Sequence, residues 1–96
     1  MTTFVATLVV NPDKHDEFER LQTELSQLAH EQETDMFVYD VIKHREKDNT
    51  YVVYARFKDE DAFNHHMGID FHDRLVPPIL ECLDEEMQLE FFDHIA

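Results

Sequence analysis

Glycine is almost missing from this chain: Gly68 is the one glycine among 96 residues. That leaves no glycine-rich loop to cradle a phosphate, and so no nicotinamide or flavin site of the familiar kind. Cys82 is the lone cysteine, which excludes an internal disulfide and suits a reducing, cytoplasmic setting. Tryptophan is absent and proline occurs three times, with no linker, repeat or low-complexity stretch. No apolar run approaches the roughly 20 residues that a membrane-spanning helix needs. The opening segment Met1–Val10 has no flanking basic residues and reads as a strand rather than a signal peptide. Positive charge is scarce as well. Eight Lys and Arg face 22 Asp and Glu, for a net charge of −14, which argues against nucleic acid or an anionic membrane as a partner.

What is present describes one globular domain spanning 1–96, 43% hydrophobic and long enough for a core of its own. Thr3–Val10 is rich in β-formers and ends at Asn11-Pro12, which predicts a first strand and then a helix capped by Asn11 with Pro12 at its first position. Phe18, Leu21, Leu25 and Leu28 recur at intervals of three and four, giving an amphipathic helix to about His30. Met36–His44 and Tyr51–Lys58 are strands two and three, joined by a charged hairpin turn around Glu46–Asn49. Asp59 caps a second helical region that Gly68 interrupts. A further helical piece spans Phe71–Leu83, where Pro77-Pro78 should kink or restart it. Met87–Phe92 is the last strand.

The order βαββαβ, with right-handed crossovers, predicts a ferredoxin-like α+β plait: a four-stranded antiparallel sheet with its helices on one face. Phe4, Ala6 and Leu8 alternate with Val5 and Val9. Val38 and Ile42 alternate with Phe37, Tyr39 and Val41, and Val53, Ala55 and Phe57 alternate with Val52 and Tyr54. Both faces are therefore largely apolar, whereas a sheet with one wet face should alternate apolar with polar. The helices cover one face only. The simplest cover for the other is a second copy of the sheet, which predicts a homodimer closed as an α/β barrel.

Candidate chemistry gathers around Asn64-His65-His66-Met67 and Phe71-His72. Neighbouring helical residues point about 100° apart, so Ala62, Phe63 and Met67 place His66 toward the inner face and His65 toward solvent. The direction of His72 is not fixed by spacing. The spacing of these histidines fits metal ligation poorly. Cys82, among Ile79, Leu80 and Leu83, reads as a small packed residue. Ser26 has no positioned base evident in sequence. What remains is a general acid–base pocket for a small molecule, with His66 as base. Tyr39, Tyr54 and Arg56 are the candidates for stabilising a developing oxyanion, and Phe57, Phe63, Met67 and His72 are candidates for contacting substrate.

Asp13-Lys14, Asp16-Glu17-Phe18, and Phe57-Lys58-Asp59-Glu60-Asp61-Ala62 followed by His66 resemble the antibiotic biosynthesis monooxygenase superfamily over nearly the whole chain. The Lys58–Ala62 stretch with its following histidine is also similar in pattern to an isomerase of that superfamily that processes a phosphorylated dione. The resemblance implies a dimeric α/β barrel and oxygenation of an aromatic, quinol or enolisable carbonyl compound without cofactor. It equally allows isomerisation of a small dicarbonyl compound, or binding alone. Three features depart from the common pattern. Glu33-Thr34-Asp35 lacks a glycine, Ala55 stands where many members carry Glu, and Asp70-Phe71-His72 replaces a Pro-His pair. The Asn, Trp and His set of the haem-degrading members is not met, so haem degradation is excluded.

Overall fold

In the computed structural model, which describes residues 1–96, the strands are β1 (Thr2–Val9), β2 (Met36–Lys43), β3 (Thr50–Phe57) and β4 (Gln88–Asp93). The helices are α1 (His15–Gln32), α2 (Glu60–Gly68) and α3 (Asp70–Glu81). The strands form one sheet in the order β2-β3-β1-β4, and every pairing is antiparallel. This is the predicted ferredoxin-like plait, with its second helical region divided into α2 and α3.

Register decides which side chains share a face. Tyr39 pairs with Ala55, Ala55 with Phe4 and Phe4 with Phe91, so this row points one way. The adjacent row, Asp40, Tyr54, Val5 and Glu90, points the other. The first face is the covered one: Phe4, Ala6, Leu8, Tyr39, Tyr51, Val53, Ala55 and Phe57 are all buried. Against it α1 lays Phe18, Leu21, Leu25 and Ala29, and α3 lays Phe71, Leu75 and Ile79. On the second face Ile42 and Phe92 are 55% and 48% exposed, and Val5, Val52 and Tyr54 are half-buried. A bulge between Met36 and Val38 shifts the phase of β2 at its start. Phe37, grouped by alternation with Tyr39, is consequently exposed.

Two local expectations change. Helix α1 starts at His15, because the Asn11 side chain accepts the Asp13 N–H at 2.9 Å and its carbonyl accepts from Lys14. Asn11 thus closes a turn ahead of the helix instead of capping it. Asp16 and Glu17 still occupy the first helical turn, where the helix dipole favours negative charge. Helix α3 runs through Pro77 and Pro78 without a restart. The carbonyls that lose a backbone partner, on Asp73 and Arg74, belong to exposed residues where water serves instead. Asp59 behaves as predicted, accepting the Ala62 N–H at 2.9 Å to cap α2.

Candidate active site

The site begins with two residues that the chain brings together from far apart. His66 is the one buried residue of α2. Glu33, the residue after α1, adopts an extended backbone as its N–H bonds back to Ala29, and this turns its side chain beneath α2. Glu33 Oε2 lies 2.7 Å from His66 Nδ1, and both side chains are about 97% buried or more. A carboxylate this far from water is tolerable only when paired. Since the carboxylate accepts, Nδ1 carries the hydrogen and Nε2 is left as the basic nitrogen. No protein group hydrogen-bonds that nitrogen.

His66 opens on a cavity of about 90 Å³ between the sheet, α1 and the α2–α3 pair. Its wall is formed mainly by apolar side chains such as Phe4, Val53 and Ile79. The polar exceptions are Gln22, His66 and His72, and Tyr39 also contributes to the wall. Met67 and Leu80, each 44% exposed, stand where the cavity meets solvent. The His72 ring lies edge-on to His66 with centroids 5.0 Å apart. Burial lowers its pKa, and the neighbouring His66 charge lowers it further. The Tyr39 hydroxyl donates to Gln22 Oε1 at 3.1 Å. Burial, followed by the Glu33 charge, pushes that hydroxyl well above the ordinary phenol range, so it stays protonated.

Of the residues expected from sequence, His66, Tyr39, Phe63, Met67 and His72 meet at this cavity. Phe57 does not reach it. Phe57 is fully buried behind His66, with ring centroids 5.2 Å apart, and supports the imidazole from the core. Tyr54 and Arg56 lie on the opposite side of the sheet. They share the rows of Val5 and Thr3, and Arg56 Nη1 sits 3.3 Å from His94 Nε2 in the C-terminal segment. Expecting Tyr54 and Arg56 beside Tyr39 is corrected here, because register places them on alternate pleats. The role of Glu33 escaped the sequence reading altogether, and only its lack of a following glycine stood out.

Other groups fall away on geometry. A larger groove of about 460 Å³ separates α1 from β2, but it lies open to solvent and no buried base faces it. There Ser26 has a histidine within reach, since its Oγ is 3.4 Å from His30 Nδ1. That nitrogen lies 2.7 Å from the Ser26 carbonyl, so it donates there and cannot take the hydroxyl proton. Cys82 is buried with its thiol toward the Pro78 carbonyl, and burial raises its pKa, leaving it a packed residue. No group of three or more His, Cys, Asp or Glu side chains is arranged to hold a metal ion.

The sequence model for antibiotic biosynthesis monooxygenase matches residues 1–76. No curated protein matches the chain. Among solved structures, a Caulobacter crescentus protein assigned provisionally to the antibiotic biosynthesis monooxygenases superposes with a TM-score of 0.95 at 25% identity. The match covers 99% of this chain and 90% of that one. A conserved protein from Methanosarcina mazei is similar at a TM-score of 0.89 and 26% identity, covering 95% and 89% of the two chains. A further structure, named antibiotic biosynthesis monooxygenase, shares the fold over the full length of both chains at a TM-score of 0.90 and 22% identity. A family match spanning most of the domain, together with the plait and its helix-covered cavity, places this chain in the antibiotic biosynthesis monooxygenase family.

Proposed function

We propose that the Glu33–His66 pair acts as a general base on a small, mostly apolar substrate, and that the anion so formed reacts with O₂. The observation carrying this reading is a buried carboxylate–imidazole pair whose second nitrogen is unused by the protein and which opens on an apolar cavity. Glu33 fixes the tautomer and compensates the imidazolium that appears once Nε2 takes a proton. The apolar wall keeps water from the carbanion or phenolate.

The chemistry balances with O₂ as the only co-reactant. Nε2 removes a proton from a C–H flanking a carbonyl or aromatic ring. The resulting anion passes one electron to O₂, and the two radicals join as a C–O bond. Loss of the second hydrogen as a proton, with cleavage of O–O, yields a carbonyl and one water. Each CH₂ thus becomes C=O while O₂ is reduced, and His66 carries the protons.

Cavity size favours a second reading of the same first step. At about 90 Å³ the cavity is well below the roughly 300 Å³ of an ordinary ligand pocket. A polycyclic substrate enters only if Met67 and Leu80 move aside. A small dicarbonyl compound fits with less movement, and reprotonation of its enolate at the other carbon is an isomerisation that consumes no oxygen.

The open sheet face supports a homodimer. Val5, Ile42, Val52, Tyr54 and Phe92 form an apolar surface on one side of the sheet, and a second copy of the same face is its matching cover.

An oxygen electrode with a panel of quinols, anthrones and small diketones tests the chemistry. Oxygenation predicts one O₂ consumed per product by the native protein and loss of at least 100-fold in rate for His66→Ala, the usual scale of a general base. Product formation without uptake, still dependent on His66, establishes the isomerase reading instead. Turnover indifferent to His66 overturns both.

A further inference from the structure

We propose that Gln22 is the substrate-orienting hydrogen-bond donor of this cavity, selecting molecules that place an acceptor oxygen opposite His66. This rests on the cavity being the binding site, as in the function proposed above, and it assigns that site its missing anion-stabilising group. Tyr39, Tyr54 and Arg56 were the sequence candidates for that task. Tyr54 and Arg56 lie across the sheet, and the one hydrogen of Tyr39 is committed to Gln22.

Position makes Gln22 unusual. It falls within the buried stripe of α1, beside Leu21 and one turn before Leu25, and it is 4% exposed. An amphipathic helix ordinarily gives such a position to an aliphatic side chain, because burying an amide costs free energy unless its hydrogen bonds are made. Oε1 meets that requirement by accepting the Tyr39 O–H at 3.1 Å, while Nε2 is not sealed in the core and keeps access to open space.

The same bond orients the amide. Were the amide reversed, Nε2 would donate to the Tyr39 oxygen, and the Tyr39 hydrogen and the Gln22 oxygen would be the groups left without a partner. With Oε1 held by Tyr39, the Nε2 hydrogens are turned away from that hydroxyl, and no protein acceptor takes them. Gln22 lines the cavity together with His66, and on its other side it borders the open groove between α1 and β2. An amide whose donors no protein group takes, lining the same apolar cavity as a base with an unmatched nitrogen, fits a ketone, enolate or phenolate. Its oxygen meets Gln22 while the adjacent acidic C–H or O–H meets His66. Because the donors are positioned before the substrate arrives, they favour the anion over the neutral molecule. Tyr39 then acts as a positioning residue for Gln22.

Binding of two probes of equal shape separates this role from packing. Cyclopentanone carries one acceptor and no acidic O–H, and methylcyclopentane carries neither; both are titrated into the native protein and followed by NMR shifts. For Gln22→Met, which keeps length and apolar bulk, ketone affinity should fall about fivefold, the worth of one ordinary hydrogen bond. Hydrocarbon affinity should hold or rise. Tyr39→Phe should weaken ketone binding in the same direction by a smaller factor, as the amide is freed to turn. Equal weakening of both probes, or no change in either, overturns the assignment. Should Gln22→Met fail to fold, Gln22→Glu serves, since its carboxylate keeps the Tyr39 bond and removes the donors; undiminished ketone preference in that variant refutes the role equally. The measurement needs no turnover. A shifted preference with no oxygen uptake by the native protein sinks the oxygenase and keeps Gln22, whereas His66-dependent uptake with an unshifted preference does the reverse.

Discussion

The two faces of this sheet are built from similar residues and do different work. Leu8 and Val53 on the covered face are 1% and 3% exposed. Val5 and Val52, one pleat away, remain half-buried. The candidate site lies on the covered side, where burial makes an unpaired charge intolerable and pairs Glu33 with His66. On the other side Arg56 meets only His94 in the C-terminal segment, through Nη1. Hydrophobicity alone would not have told the faces apart; what separates them is which one the helices can reach.

The largest effect should come from deleting the same kind of side chain on each face. Leu8→Ala removes a fully buried group from the wall of the cavity and should cost about 3 kcal/mol. Ile42→Ala, half-exposed, should cost well under half of that in the isolated chain. Urea denaturation at two protein concentrations reads both. Equal losses would erase the distinction between the faces. A loss for Ile42→Ala that grows on dilution would locate it in an interface between copies.

Next in size is the buried pair. Glu33→Ala strands the Nδ1–H of His66 in the core, and a buried unpaired donor costs about 1–3 kcal/mol. His66→Phe removes the polar partner and fills the space with an apolar ring. The double variant Glu33→Ala/His66→Phe should therefore recover part of what Glu33→Ala loses, as thermal unfolding can show. Strict additivity of the two losses would mean that the pair is not coupled, and the base proposed here would lose its support.

The plait was largely legible in sequence because its cues are local. Alternation marked the strands, the spacing of Phe18, Leu21 and Leu25 marked α1, and Asp59 marked the start of α2. His66 was placed inward by its neighbours Ala62, Phe63 and Met67 on one helical turn. Its partner was not legible, since Glu33 lies 33 positions away in a connection without periodicity. Gln22 was passed over because a polar residue inside an apolar stripe breaks the pattern without announcing a purpose. Tyr54 and Arg56 were misplaced for a third reason. Alternation shows which residues of one strand share a face, but relating that face to β2 needs the register between strands, and the bulge at Met36–Val38 offsets it.

A smaller effect concerns the open face. Ile42→Asp places a charge on the apolar surface but buries nothing in the single chain, so secondary structure and the covered core should be unchanged. If two copies join through this face, the charges of both fall in a desolvated contact, and native mass or light scattering should report a shift to monomer. A protein that is monomeric before substitution removes the dimer, and one that stays dimeric afterwards moves it to another surface.

The smallest expected effect sharpens the covered side by titration. His72 has its pKa lowered in the folded chain by burial and by the adjacent His66 charge. Unfolded, it returns to the ordinary histidine value of about 6.5. A group of this sign binds fewer protons folded than unfolded, so its contribution is complete above the unfolded value. It is lost as pH falls through that value and levels off below the folded one. Stability should therefore decline on acidification from about pH 7, and His72→Gln should flatten that decline while leaving stability at pH 8 nearly unchanged. His65, one position from His66 but exposed, provides the contrast: His65→Gln should leave the profile as it was. If the two substitutions act alike, the acid sensitivity belongs to histidines in general and not to burial against His66.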